Sequence, residues 1–106
     1  MKLQRREYGH YEAITEVEID KKMLDYVITE LKKEVEDFEE IYVFTLEDLE
    51  MIAAGKATRY EEIYPSDSYC SLQDLIFDTI YDYVNRYGRT EMIDQQISDW
   101  EFTTIG

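Results

Sequence analysis

Between Ser71 and Gly88 the apolar residues fall on a single helical stripe. Leu72, Leu75, Ile76, Thr79, Ile80, Tyr83, Val84 and Tyr87 recur at three- and four-residue intervals. At that spacing side chains stack along one side of a helix. Ser71 with Asp74 resembles a capping box at the start, and Gly88 supplies a stop. The spacing therefore predicts a helix over Leu72–Tyr87. A helix with one apolar face is not stable alone in water, so the rest of the chain must supply a surface to cover that face.

Two kinds of partner element are readable. Tyr11, Ala13, Thr15, Val17 and Ile19 alternate with Glu12, Ile14, Glu16 and Glu18, the period of a half-buried strand with one wet, acidic face. Ser98–Ile105 alternates in the same way, with Trp100, Phe102 and Thr104 on one side and Glu101, Thr103 and Ile105 on the other. Asp20 is a good N-cap for a helix running to about Phe38. Its stripe is Leu24, Val27, Ile28, Leu31, Val35 and Phe38, with Tyr26, Glu30, Lys33 and Asp37 opposite. Ile41–Phe44 is a continuous apolar run, read as a short buried strand. Thr45 with Asp48 opens a helix over Leu46–Ala54, and Gly55 suits the position just past its end. Arg59–Tyr64 adds a candidate strand before Pro65, Ser66–Asp67–Ser68 is turn chemistry, and Thr90 is positioned to cap a short helix through Ile97. The expected architecture is one α+β domain spanning residues 1–106: a small, mainly antiparallel sheet with two principal helices packed on one face.

Charge then narrows the function. Of 106 residues, 25 are Asp or Glu and 11 are Lys or Arg, giving a net charge of −14. Direct binding to nucleic acid needs a cationic face, so it is excluded as an expectation, and an anionic membrane surface is disfavoured on the same grounds. The acids are also unevenly placed. Between Lys33 and Lys56 there is no base, while Glu34, Glu36, Asp37, Glu39, Glu40, Glu47, Asp48 and Glu50 are acidic; between Arg59 and Arg86 the acids Glu61, Glu62, Asp67, Asp74, Asp78 and Asp82 again meet no base. A surface built only for solubility intersperses both signs.

Asp74, Asp78 and Asp82 sharpen the point. Four residues apart, they climb one face of the predicted helix with about 6 Å of rise per step. Like charges at that spacing destabilise a helix by about 0.2–0.5 kcal/mol per pair. Only Asp74 is near enough to the N-terminus to gain from the helix dipole. Tyr81 and Asn85 are placed on the same outward face, with Phe77 at its border. Carboxylates beside an aromatic ring suit a basic protein surface, where they meet Lys and Arg and the ring adds rigid contact area. The plainer alternative is a solvated helix face in a generally acidic protein.

Motifs for chemistry are absent from the sequence. It has no glycine-rich phosphate loop, no H-E-x-x-H, no EF-hand loop and no nucleophile elbow. One cysteine, Cys70, and one histidine, His10, leave no intramolecular disulfide and no multi-ligand soft-metal site. Carboxylate pairs arise by chance among so many acids. No enzymatic activity, cofactor or metal is expected. Lys2, Arg5 and Arg6 are followed by Glu7–Glu12, not by an apolar signal-peptide core, so the expected compartment is a reducing cytoplasm.

The expected function is a small acidic inhibitor that occupies the basic, nucleic-acid-binding surface of a target protein, its carboxylates standing in for phosphates. The residues assigned to that surface are Asp74, Asp78, Tyr81 and Asp82, with Glu34, Asp37, Glu39, Glu40, Glu47 and Glu50 as a second acidic set. In composition the chain resembles small phage-encoded counter-defence proteins such as antirestriction and anti-CRISPR proteins; the resemblance is one of type, carried by size, acidity and lack of catalytic motifs. Two alternatives stay open: an immunity protein or antitoxin that neutralises a nuclease toxin, and a non-inhibitory acidic adaptor or structural protein. An unpaired terminal strand also leaves homodimer formation by edge pairing open.

Overall fold

Helices and strands segregate into two layers in the computed structural model, which describes residues 1–9, 13–35, 38, 42–65, 69–92 and 97–105. Four strands make one antiparallel sheet: β1 (Lys2–Gly9), β2 (Ala13–Glu18), β3 (Arg89–Met92) and β4 (Ile97–Ile105), in the spatial order β3-β2-β1-β4. Among the described residues three α-helices lie on one face of it: α1 (Lys21–Glu34), α2 (Leu46–Ala53) and α3 (Leu72–Tyr87). The fold is a small α+β fold, as the alternating and helical periods predict.

β1 has no counterpart in the sequence reading. Its inward row is Leu3, Arg5 and Glu7, paired in register with Val17, Thr15 and Ala13 of β2 and with Thr104, Phe102 and Trp100 of β4. A row of one aliphatic, one cation and one anion gives no hydrophobic alternation, so the central strand is invisible to a period-two search. Its place is set by its neighbours, which both alternate. Arg5 is only 6 % exposed. Its guanidinium donates to Oδ1 of Asn85 on α3 and pairs with Glu7 at 3.2 Å. It also lies 4.9 Å from the centre of the Tyr81 ring. Such a pair adds little net stability but is costly to break.

The helices start where their caps stand. The Asp20 side chain accepts from the Met23 backbone N–H, Thr45 and Asp48 form the reciprocal capping box, and the Ser71 hydroxyl accepts from the Asp74 N–H. α1 ends at Glu34, with Val35 as C-cap, short of Phe38. Its buried residues are Met23, Val27 and Leu31, so the buried line begins at Met23, with Leu24, Ile28 and Val35 partly buried beside it. α2 ends in Gly55 at φ +76°, a left-handed conformation that favours glycine. Gly88, after α3, is required for a different reason: a Cβ there would stand 2.4 Å from Cγ2 of Thr15 and 2.5 Å from the Val84 carbonyl oxygen. Behind it, the hydroxyls of Thr15 and Thr90 meet at 2.8 Å across the β2–β3 pair.

Three sequence expectations are corrected. Residues 42–44 form no strand, and Val43 is 71 % exposed. Phe44 and Tyr42 instead pack their rings against Phe38 and buried Tyr60, so the apolar run serves a loop that closes the core. Arg59–Glu62 is a 3₁₀ turn, not a strand; the Thr58 hydroxyl caps it by accepting from the Tyr60 N–H, a local signal stronger than β-propensity. Thr90 caps no helix, because Arg89–Met92 forms β3 against β2. Ile41 and Ser66–Asp67–Ser68 lie outside the described residues. The core is one contiguous cluster running from Leu3 through Met23, Val27 and Leu31 to Leu49, Ile52, Tyr60, Ile76, Ile80 and Val84.

Candidate protein-binding surface on the α3–β4 flank

The outward side of α3 is assembled from two adjacent lines of side chains. The helix buries Leu72, Ile76, Ile80, Tyr83 and Val84. Tyr83 and Tyr87 pack on Tyr26 of α1, with ring centres 5.3 and 6.0 Å away. That fixes which flank of α3 faces α1. At 100° per residue the opposite flank carries first Phe77, Tyr81 and Asn85, then Asp74, Asp78 and Asp82.

The first of those lines descends onto the sheet. Phe77 stacks on Trp100 at 6.0 Å and meets Phe102 edge-on at 5.3 Å. Tyr81 lies 4.8 Å from Trp100 and 6.1 Å from Phe102. Tyr81 is therefore half-buried between Arg5 and Trp100, not turned outward as its helical position suggests. The reason is Arg5: a cation buried in β1 takes the face of a ring and the Asn85 amide as its partners. Tyr26 is corrected in the same way, since it packs in the tyrosine group between α1 and α3. Trp100 remains 37 % exposed at the rim of this aromatic patch.

The second line is exposed. Asp74, Asp78 and Asp82 all face solvent, and among the described residues none of them is joined to a base by an ion pair. Incomplete solvation holds the Asp78 carboxyl above the ordinary aspartate value, and the charges of Asp74 and Asp82 push it further the same way. The row thus carries the uncompensated repulsion that its spacing implies.

The other acidic set is not part of this flank. Glu34 is exposed at the C-terminal end of α1, and Glu47 and Glu50 lie on α2. Glu47 and Glu50 line a shallow hollow of about 170 Å³ with Met1, Met51, Lys56 and Thr104. Asp48 is drawn into structure by its cap and by Arg59, whose Nη2 stands 3.9 Å away. A base outside the window in sequence thus reaches back into it. Asp37, Glu39 and Glu40 lie outside the described residues. The structure therefore joins Asp74, Asp78 and Asp82 on one flank with Tyr81 at its base. It shows no contact between that flank and Glu34, Glu47 or Glu50.

The aromatic rim was the part missed. Trp100 and Phe102 share one side of the alternating C-terminal segment, a signal that groups them without saying what that side meets. What the sequence does not show is that β4 is an edge strand whose rings meet Phe77 and Tyr81 of α3. Among the described residues no cluster of His, Cys, Asp and Glu is placed to hold a metal ion, and no helix is long and apolar enough to cross a membrane. The sole cysteine, Cys70, is exposed just before α3. Comparison with known proteins returns no matching family model, no similar curated protein and no matching solved structure.

Proposed function

We propose that this protein is a non-catalytic inhibitor that binds a basic, nucleic-acid-binding surface of a target protein from the cytoplasm. The observation that carries the reading is the exposed carboxylate row Asp74–Asp78–Asp82, which makes no ion pair among the described residues and stands on a well-capped helix. Like charges are retained there at a cost to the helix, and a cationic partner offsets that cost by replacing repulsion with charge-assisted hydrogen bonds. The row has about 6 Å of rise per step, so successive carboxylates present regularly spaced anions, as a nucleic-acid backbone does. The net charge of −14 adds steering toward a cationic groove.

The test is capture from a host lysate on the immobilised chain, with and without competing DNA. The expected result is a retained protein that DNA displaces and that an Asp78→Asn, Asp82→Asn chain retains poorly. Association should also be fast at low salt and slow markedly as ionic strength rises, because steering is screened over about 8–10 Å. Retention indifferent to DNA, to salt and to both substitutions would overturn the proposal in favour of an apolar interface.

A further inference from the structure

β4, whose Trp100 and Phe102 meet Phe77 and Tyr81 of α3, has an open outer edge among the described residues. Among the described residues β4 pairs with β1 alone, and it ends the sheet on that side. Its pairing with β1 is regular from Asp99 to Ile105, the register shifting only near Gly9. An edge of this kind presents unpaired N–H and C=O groups at every second residue. Natural edges are blunted by bulges, prolines or lysines, but Asp99–Ile105 contains no proline and no base. The helix wheel then sets which α3 residues neighbour the β4 contact. Phe77 and Tyr81 meet Trp100 and Phe102, and Asp74 and Asp78 are the next exposed positions round the helix from them.

We propose that the outer edge of β4 takes, by strand addition, an extended basic segment of a partner protein, whose Arg or Lys side chains lie against Trp100 and reach Asp74 and Asp78. The proposal rests on the basic-partner reading above and specifies how the partner is held. Backbone pairing supplies affinity, and alternate side chains supply selectivity. On the inner face of the added strand, cations meet an aromatic ring and then two carboxylates, two kinds of attraction that favour arginine in particular. Charge complementarity selects this occupant over a second copy of the chain. Two copies joined edge to edge would bring two acidic rows together, each on a chain of net charge −14.

The full chain, isotope-labelled for NMR, is titrated at low salt with a seven-residue peptide that alternates arginine and valine. Two further peptides carry the same charges but are N-methylated at alternate residues, one along each edge. The expected result is binding of the parent peptide with amide shifts concentrated in β4. One of the two N-methylated peptides should bind at least tenfold more weakly, and Trp100→Ala should weaken the parent several-fold. Equal binding of all three peptides, with shifts confined to α3, overturns strand addition while leaving a basic partner in place. Absence of binding by the parent peptide also overturns it, and the capture experiment then decides the inhibitor reading separately. A concentration-dependent dimer whose β4 amides are protected without peptide assigns the edge to a second copy instead. The peptide comparison uses the unmodified chain, so it remains decisive if Trp100→Ala fails to fold.

Discussion

Asp78→Asn should make this protein more stable, and the structure sets by how much. Asp78 stands four residues from Asp74 and four from Asp82, exposed and without an ion-pair partner among the described residues. Removing its charge relieves two like-charge pairs at about 0.2–0.5 kcal/mol each, and Asn matches Asp closely in shape and helix propensity. The expected gain is about 0.4–1 kcal/mol at low salt, nearer the lower figure at physiological ionic strength because the row is solvent-screened. For a chain of this size that raises the melting temperature by roughly 2–6 °C. The neighbours should respond differently. Asp82→Asn relieves one repulsive pair but gives up the attraction of Arg86 four residues on, so it should be close to neutral. Asp74→Asn relieves one pair and gives up a favourable position in the first turn, worth about 0.3–1 kcal/mol. The pH dependence follows from the raised Asp78 carboxyl. With the folded value above the unfolded value of about 3.9, the native state takes up the proton first. The penalty is full at neutral pH, shrinks as pH falls through the folded value, and is gone below the unfolded one. Urea denaturation of wild type and Asp78→Asn at neutral pH and near pH 3 reads this directly: the gap should close in acid. A destabilised Asp78→Asn protein would refute the reasoning and would mean that the carboxylate holds something in place.

Further predictions test the frame around that row. Glu7→Gln leaves the buried Arg5 guanidinium short of its counter-charge and should cost about 3–5 kcal/mol in chemical denaturation, whereas joint replacement of Arg5 and Glu7 by Met and Leu should cost much less. Gly88→Ala forces a methyl group against Thr15 and the Val84 carbonyl, and a loss of about 1–3 kcal/mol is expected. Ile80→Ala, at a fully buried position of α3, should cost about 2–5 kcal/mol; Leu75 is only partly buried, so Leu75→Ala should cost less than a core-facing assignment implies. Burial raises the phenols of Tyr26, Tyr60 and Tyr83. The unfolded chain therefore loses those protons first, and stability should decline as pH rises past about 10, as circular dichroism melts in alkaline buffer would show. Gel shifts with duplex and single-stranded DNA or RNA at physiological salt should show no binding, because net repulsion opposes every phosphate contact.

The parts legible in the sequence are those whose side chains repeat a local physical rule. α3 was readable from end to end because its stripe, its Ser71 cap and its Gly88 stop agree. β2 and β4 were readable because one face of each is covered. Met23 was passed over because a search for a Leu and Val stripe starts one residue late. β1 was illegible because its inward residues answer to partners far away in the chain: Arg5 to Asn85 and Tyr81, Glu7 to Arg5. The same contacts explain the candidate site. The carboxylates of α3 were placed correctly by helical spacing alone, which needs no knowledge of the sheet. Tyr81 was misplaced because its orientation depends on a cation in a strand that the sequence did not reveal. The edge position of β4 is a matter of topology, and no local pattern encodes it.

That topology also governs when the candidate surface comes into existence. β1 is the first of the described strands in sequence and β4 the last, yet they pair along nearly their whole length, Lys2 against Ile105. During synthesis β1 can form its hairpin with β2 early, but its other side must wait until β4 has been made. Bringing such distant segments together is slow relative to helix formation, since loop closure precedes the contacts that reward it. The rim that carries Trp100 and Phe102 therefore docks after the other described elements have been made. Until it docks, Phe77, Tyr81 and the second edge of β1 are uncovered, and a nascent chain halted shortly before β4 would present a sticky, unfinished sheet in place of a binding surface.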